Sequence, residues 1–340
     1  MSVDVDTADA RRARLEGCLL GCAVGDALGL PCEGLSPATI AQRFMPLDRY
    51  RLLGRAGFVS DDTEQSALVV QALCKAHVRG GVDVDAAPLA DHVVRAFRWS
   101  LLGWFWRLPF GIGLATLRAG LKLTLGLRRS GVASAGNGAA MRSMPLGAAI
   151  RDRGVRHAVA RALAAVTHTD ERAIAAAIFV ADVAAGDDEA LANVHEPALR
   201  AALERASDLS ERSASVADAA SALGTTGFVL HSVPFAWFCF VRFGVSFDAV
   251  RAAIEGGGDT DTNAAIVGGW VGALRPSEVP QQLVDALVGG PFGPRHLRAL
   301  ARASADGTAP PPWWWPVALA RNLALYPVIL AHGVRRIIPW

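Results

Sequence analysis

Apolar side chains recur at intervals of three and four positions along most of the chain, which is the spacing of one face of an α-helix. Leu15, Cys18, Leu19 and Cys22 follow this period, and residues 67–73 follow it with one polar interruption. Strand-like alternation of apolar and polar positions is scarce. The pattern therefore predicts an all-α fold, a compact helical domain in which each apolar stripe packs against other helices.

Composition and the positions of glycine and proline predict three segments. Residues 1–10 are acidic and lack an apolar core, so we expect a disordered N-terminus and not a signal peptide. Residues 11–310 should form the helical domain, and residues 311–340 a tail rich in proline and tryptophan whose role is unassigned. The glycines within 25–34 and 256–258 are interpreted as breaks between helices.

Size and charge exclude some classes of protein. The chain has 340 residues, of which 52% are hydrophobic, and a formal net charge of +2. It can bury a substantial core, and this net charge favours no broad nucleic-acid surface. Its five cysteines are odd in number and form no CxxC pair, which is typical of buried thiols in a reducing compartment. We expect a cytoplasmic protein.

Two apolar stretches raise the question of a membrane. Residues 99–127 and 313–340 are rich in leucine and tryptophan, but arginine, lysine and proline interrupt both. Neither offers about 20 uninterrupted apolar residues, so we predict no transmembrane span. The C-terminal stretch could pack its aromatic side chains over the domain, or could face a membrane surface or a partner.

Two short acidic clusters lie almost two hundred residues apart, at 60–63 and 259–262. Each couples two aspartates to hydroxyl side chains at a predicted helix start. Helix capping would explain one carboxylate in each cluster, as the spacing of Asp61 and Glu64 indicates. It does not explain the second carboxylate. Carboxylate and hydroxyl oxygens suit a hard divalent cation, and two such ions would balance four aspartates. We hypothesise that folding brings both clusters together around magnesium or manganese.

Three further features are candidates for chemistry. Small residues at 136–142 surround an asparagine, which suits either an anion-binding loop, with Arg142 as a charged fork, or an ordinary helix start. Glu33 follows a glycine-proline turn and is either a solvated loop residue or part of a site. His168 precedes a predicted helix, where a hydrogen-bonded structural histidine is the usual interpretation and ligand contact the rarer one.

Together these segments resemble the ADP-ribosylglycohydrolases, a family that includes the dinitrogenase reductase-activating glycohydrolases. Five segments, in the family's order, carry the resemblance: 17–34, 60–65, 136–142, 167–173 and 257–269. The resemblance implies a compact helical domain with two Mg²⁺ or Mn²⁺ ions at the base of a cleft. It also implies an ADP-ribose group bound through its distal ribose and diphosphate.

The resemblance further implies roles for individual residues. The metal ligands would be Ser60, Asp61, Asp62, Asp259, Asp261 and Thr262. The ADP-ribose group would contact Gly113, Gly136, Asn137, Gly138, Ala139 and His168. Glu33, Asp62 and Asp261 would be catalytic, with Glu33 handling a proton or gating the cleft. The family's first metal motif commonly opens with threonine, and Ser60 keeps the hydroxyl oxygen that a metal would need.

The expected function is a metal-dependent hydrolase that cleaves the glycosidic bond between ADP-ribose and an arginine or serine side chain, or a small ADP-ribosyl conjugate. Its partner is then an ADP-ribosylated protein or that conjugate. The alternative is a protein of the same fold that binds ADP-ribose or a related nucleotide without hydrolysing it. An aspartyl-phosphate phosphohydrolase is disfavoured, because glycines rather than an apolar strand precede Asp259.

Overall fold

The computed structural model describes residues 7–80, 86–312 and 315–337. Its secondary structure is helical, and the described residues form only isolated β-bridges, so the all-α prediction is confirmed. The α-helices are Ala8–Gly29 (α1), Pro37–Arg43 (α2), Asp61–Gly80 (α3), Ala86–Phe105 (α4), Leu114–Thr124 (α5), Met144–Ala149 (α6), Arg153–Ala164 (α7), Glu171–Ala184 (α8), Pro197–Glu211 (α9), Val216–Leu223 (α10), Val229–Phe243 (α11), Phe247–Glu255 (α12), Thr260–Leu274 (α13), Gln281–Asp285 (α14), Pro294–Ala305 (α15) and Trp315–Ile337 (α16). Short 3₁₀ helices cover Leu30–Cys32, Asn137–Arg142 and Pro276–Glu278.

The fold is built around a close crossing of α1 and α13. A Cβ atom added to any of four glycines on α1 would lie 2.1–2.4 Å from a carbonyl oxygen of α13; these are Gly17, Gly21, Gly25 and Gly29. Gly268 and Gly272 of α13 meet α1 in the same way. The interpretation of 25–34 as a break between helices was therefore wrong at its start, because Gly25 and Gly29 serve helix contact inside α1.

One contiguous apolar core surrounds this pair and includes side chains from α3, α4, α8 and α11. Trp104 on α4 and Trp270 on α13 are completely buried in it, and the indole of Trp270 donates to the carbonyl of Val180 at 2.9 Å. Packing of α1 against both α3 and α13 brings the beginnings of α3 and α13 to the same end of the domain.

The N-terminal end of the described chain differs from the sequence-based expectation, and the C-terminal end packs on the domain, one of the alternatives left open. Helix α1 begins at Ala8 and its first turn is capped by the Thr7 hydroxyl, so residues 8–10 are helical where we expected disorder. Residues 1–6 lie outside the described part. The expected tail forms helix α16, which lies on the loop between α4 and α5: Asn322 donates to the carbonyl of Arg107 at 2.9 Å.

One helix in the described part of the chain is long and apolar enough to cross a membrane. It covers residues 8–32, and 94% of its apolar window is buried inside the protein. Its glycine-mediated packing against α13 identifies it as a core helix. The stretch 99–127 is divided between α4, a loop and α5.

Candidate active site

The first acidic turn is held by a carboxylate from another helix. Asp26, completely buried on α1, accepts hydrogen bonds from the backbone amide of Ser60 at 2.9 Å and from the amide of Thr63 at 3.2 Å. The Thr63 hydroxyl donates to the same oxygen at 2.5 Å. Asp26 thus caps α3, the role that the capping interpretation gave to Asp61. Asp61 instead accepts a hydrogen bond from the Gln65 amide at 3.0 Å.

In the second acidic turn, Asp261 Oδ1 accepts from the backbone amide of Thr262 at 3.0 Å, whereas the Asp259 carboxylate does not cap the helix. Asp259 occupies the N-cap position of α13, but its side chain makes no capping hydrogen bond. Its Oδ2 accepts from the Asn137 side-chain amide at 2.7 Å. Gly257 and Gly258 precede it with φ of +70° and +74°, backbone that favours glycine. Gly258 exchanges backbone hydrogen bonds with the loop that carries Glu33.

The two acidic turns meet, as the sequence predicted. The Thr262 hydroxyl lies 3.4 Å from Oδ2 of Asp62, and the Ser60 hydroxyl donates to the same oxygen at 3.1 Å. The other oxygen of this carboxylate, Oδ1, is buried and has no hydrogen-bond partner in the described structure. A buried carboxylate oxygen without a partner is costly, so Asp62 Oδ1 is suited to a cation.

Burial and crowding raise the pKa values of three carboxyl groups in these turns. Removal from water is the main cause for Asp61, Asp62 and Asp261, and the neighbouring carboxylates add to it. The pKa of Asp26 rises to about 6 through burial, although its hydrogen bonds oppose the shift. Ionised carboxylates in this buried cluster repel one another, and bound divalent cations would neutralise their charge.

The donor set therefore fits hard cations. Four carboxylates and the Thr262 hydroxyl line one cavity, the Ser60 hydroxyl donates to Asp62, and one carboxylate oxygen is unsatisfied. In the residues described, however, no group of three or more His, Cys, Asp or Glu side chains is assembled as a ready metal-binding cluster. The fit rests on the mixed carboxylate and hydroxyl chemistry of the two turns.

A cavity of about 570 Å³ opens above the acidic turns. Its volume falls within the range typical of pockets for drug-sized ligands. Most of the predicted site residues line it: Glu33, Asp61, Asp62, Gly113, Gly136, Asn137, Gly138, His168, Asp259, Asp261 and Thr262. Ser60 and Ala139 are buried just behind the wall. The structure thus brings together residues from all five sequence segments.

Arg142 does not offer a charged fork to the cavity. It is only 1% exposed, and its guanidinium donates to the carbonyl of Gly138 at 2.7 Å, to Gln65 at 2.9 Å and to the Thr167 hydroxyl at 2.6 Å. Burial lowers its pKa to about 9, which leaves it protonated at neutral pH. Arg142 therefore organises the 136–142 loop from behind, and the expectation of a fork was wrong.

His168 is positioned by this network. Its Nδ1 lies 2.8 Å from the Thr167 hydroxyl, which already accepts from Arg142. The Thr167 hydroxyl has one proton to donate, and its donation to Nδ1 corresponds to the tautomer with the N–H at Nε2, on the side of Gly136. Burial, with a contribution from Arg142, lowers the pKa of His168 to about 3, so the ring is neutral and can donate one hydrogen bond into the cavity.

Sequence reasoning missed the residues that hold the site in place. Asp26, Thr63 and Gln65 stand inside the segments that were singled out, but no role was given to them. A charged residue in the apolar stripe of α1 was the available signal for Asp26. Gly111 was also missed: its φ is +78°, and a Cβ there would lie 2.8 Å from Asp61 Oδ1.

Comparison with known proteins agrees with this arrangement. The family model described as ADP-ribosylglycohydrolase matches residues 7–311. An uncharacterized protein of Archaeoglobus fulgidus is 31% identical over 296 residues, covering 81% of this chain and 91% of that protein. The uncharacterized protein YegU of Escherichia coli is 30% identical over 183 residues, 49% of this chain and 52% of its own length.

A solved structure described as an ADP-ribosylglycohydrolase-related protein complex superposes with a TM-score of 0.62 and 26% identity, covering 88% of this chain and 99% of that one. The family is one of glycohydrolases, and its members generally depend on divalent metals. The match extends over nearly the whole helical domain and ends before α16. The chain belongs to the ADP-ribosylglycohydrolase family.

Proposed function

We propose that this protein is a metal-dependent ADP-ribosylhydrolase that cleaves the glycosidic bond between ADP-ribose and a protein side chain, arginine or serine, or a small ADP-ribosyl conjugate. The observation that carries the proposal is the meeting of Asp62 and Thr262 at the floor of the cavity, with Asp62 Oδ1 left without a partner. Family membership supports a hydrolase in general.

The two acidic turns would hold two Mg²⁺ or Mn²⁺ ions. The proposed ligands are Ser60, Asp61, Asp62, Asp259, Asp261 and Thr262. Bound there, the ions would polarise a water molecule and the ribose hydroxyls. Asp26, Gln65 and Asn137 would keep the carboxylates oriented through the hydrogen bonds described above.

The ADP-ribose group would lie along the wall formed by 136–139. Gly136 and Gly138 have no side chain, so a ligand can approach the backbone closely. The backbone amide of Asn137 already donates to the carbonyl of Gly227 at 3.0 Å. Asn137 would therefore contact a ligand through its side chain. His168 would donate from Nε2, and Gly113 would contact the ligand from the opposite rim. Ala139 would support this wall from behind.

Cleavage would pass through an oxocarbenium-like state that nearby carboxylates stabilise. Asp62 and Asp261 are the candidates for orienting and deprotonating the attacking water. Glu33 is exposed at the rim of the cavity, and its charge contributes to the raised pKa of Asp261. This position suits proton transfer to the leaving group or control of entry.

The test is a panel of defined substrates: ADP-ribosyl-arginine peptide, ADP-ribosyl-serine peptide and O-acetyl-ADP-ribose, each with Mg²⁺, Mn²⁺ or EDTA. We expect release of ADP-ribose from at least one linkage, with loss of activity in EDTA. No release from any linkage with either metal would overturn the proposal.

The second candidate is a protein that binds ADP-ribose without hydrolysing it. The arrangement of both acidic turns favours hydrolysis, because a binder has no need of four crowded aspartates. Calorimetry with ADP-ribose, with and without Mg²⁺, separates the two candidates when it is paired with the substrate panel. Tight binding without turnover would favour the binder.

We also propose a cytoplasmic location. All five cysteines are buried and lie outside disulfides, and burial raises the pKa of each thiol for which a shift is resolved. Such thiols are unreactive and typical of proteins in a reducing compartment. Fractionation of cells that express a tagged full-length chain would test the location.

A further inference from the structure

Helix α16 has an apolar face on both sides. Its inner face buries Ala318 and Leu325 against the domain. Of the α16 side chains that the structure describes, ten are exposed, and apart from Trp315 at the start of the helix none of them is charged or forms hydrogen bonds; the large ones are Val317, Leu323, Leu330 and Val334. A water-facing helix surface is normally polar, so this face, the outer face of α16, lacks its partner.

The inner face is fixed to the domain by polar side chains. Arg321 pairs with the buried carboxylate of Glu64. Tyr326 donates to the carbonyl of Leu108 at 3.2 Å, and the indole of Trp315 donates to the carbonyl of Gly103 at 3.0 Å. A helix held in this way presents only its outer face, so it can lie on a surface but cannot pass through a bilayer without breaking these bonds.

The two helices that flank the loop under α16, α4 and α5, also carry exposed apolar side chains and positive charge. Trp99 of α4 is 70% exposed, Leu121 of α5 is 51% exposed, and Leu125, directly after α5, is 75% exposed. Arg118, which is also exposed, lies on α5 three residues before Leu121. Apolar side chains next to basic ones, with tryptophan, are the composition of helices that bind in the membrane interface.

The charge distribution is one-sided. Residues 92–151 contain nine Lys or Arg and no Asp or Glu, and residues 307–340 contain three Arg and no acidic residue. Acidic residues elsewhere number 32, so the net charge of +2 conceals a basic region and an acidic remainder. A second copy docked through this region would place like charges together, which disfavours a homodimer.

We propose that the outer face of α16, together with the exposed side of α5 and Trp99, docks on an anionic lipid surface. The apolar side chains would enter the headgroup boundary, and Arg95, Arg118, Arg128 and Arg129, all exposed, would pair with lipid phosphates. The cavity opens beside the beginning of α5, so docking would hold the active site near the membrane.

The test is co-sedimentation of the full-length protein with phosphatidylcholine vesicles, with and without about one-third phosphatidylglycerol. We expect binding to the anionic vesicles that weakens with salt, and little to the neutral ones. Leu323→Glu with Leu330→Glu should reduce the bound fraction about tenfold. The matched control Val241→Glu with Phe243→Glu changes exposed apolar residues outside the region and should bind as the wild type does.

Failure of the wild type to sediment with anionic vesicles at low salt would overturn the proposal. Unchanged binding of the variant that carries both Leu323→Glu and Leu330→Glu would also overturn it. Sedimentation equilibrium in the absence of lipid adds a further outcome. A dimer that the same two substitutions dissociate would assign the face to a second copy and contradict lipid docking. Circular dichroism of each variant confirms that helix content is retained.

Discussion

The carboxylate of Asp26 accepts a 2.5 Å hydrogen bond from the hydroxyl of Thr63. This bond joins the middle of the domain, where α1 crosses α13, to the first turn of α3. Because Asp26 also accepts from the Ser60 backbone amide, a residue of α1 fixes the turn that carries Asp61 and Asp62. Both of those carboxylates are therefore available for chemistry instead of capping.

Substitution of the donor should weaken this connection. Thr63→Val keeps the shape of the side chain but removes one hydrogen bond to a buried carboxylate, which should cost about 1.5–3 kcal/mol of stability. Activity should fall as well, because Asp61 and Asp62 lose part of their support. Denaturant unfolding and a hydrolysis assay measure the two effects. Thr124→Val, at an exposed position of α5, is the control and should change neither by much.

The pKa shifts predict how metal binding depends on pH. A carboxyl group whose pKa is raised by folding stabilises the protein below its unfolded pKa, and this stability is lost as pH rises through the folded pKa. For Asp26 this window runs from about 4 to about 6, and Asp61, Asp62 and Asp261 extend it upward. Without metal, this acidic cluster should therefore favour unfolding as pH increases.

Mn²⁺ should accordingly raise Tm more at pH 8 than at pH 5, since at pH 8 it relieves repulsion and at pH 5 it must displace protons. The shift caused by Mn²⁺ is the readout, because groups outside the cluster, such as His168, contribute equally with and without metal. Differential scanning fluorimetry measures it. Equal shifts at the two pH values would contradict a carboxylate site with raised pKa values.

The crossing of α1 and α13 should not tolerate a methyl group. In Gly268→Ala the new Cβ would lie 2.2 Å from the carbonyl oxygen of Gly21, so the helices must separate. We expect a loss of about 2–3 kcal/mol and lower activity, because Asp26 and Asp261 lie on the separated helices. Gly103→Ala on α4, where a Cβ meets no atom within 4 Å, is the matched control and should be neutral or slightly stabilising.

Helix α16 should contribute to the site through Arg321. Glu64 is 2% exposed and also accepts from the Trp104 indole at 2.6 Å. Arg321→Met would leave the Glu64 carboxylate buried without its guanidinium partner, at a cost of about 3 kcal/mol of stability. Adding Glu64→Gln to this variant should restore part of that stability. Arg200→Met removes an exposed pair with Glu204 and should cost less than about 1 kcal/mol. Equal losses in the two single variants would contradict this role for α16.

Much of the fold and the site followed from the sequence, for identifiable reasons. Helical spacing predicted the all-α architecture, and the repeated coupling of aspartate to hydroxyl predicted that the two turns meet. The conformation of the C-terminal stretch did not follow, because its apolar composition suits packing, lipid and partner contact alike. The role of Arg142 was also missed, since a sequence does not show whether a guanidinium is turned toward a cavity or behind it. Likewise, the sequence does not distinguish a glycine that ends a helix from one, such as Gly25, that allows two helices to pack closely.

The central claim is that the two acidic turns form a metal site for hydrolysis of an ADP-ribosyl bond. The most direct measurement is the rate of ADP-ribose release, with saturating Mg²⁺ or Mn²⁺, by Asp61→Asn, Asp261→Asn and the exposed control Asp218→Asn. We predict that both site variants lose activity by about a hundredfold or more, while their metal-free Tm rises because repulsion is relieved. The control should match the wild type. Rates near wild type in both site variants would contradict the account.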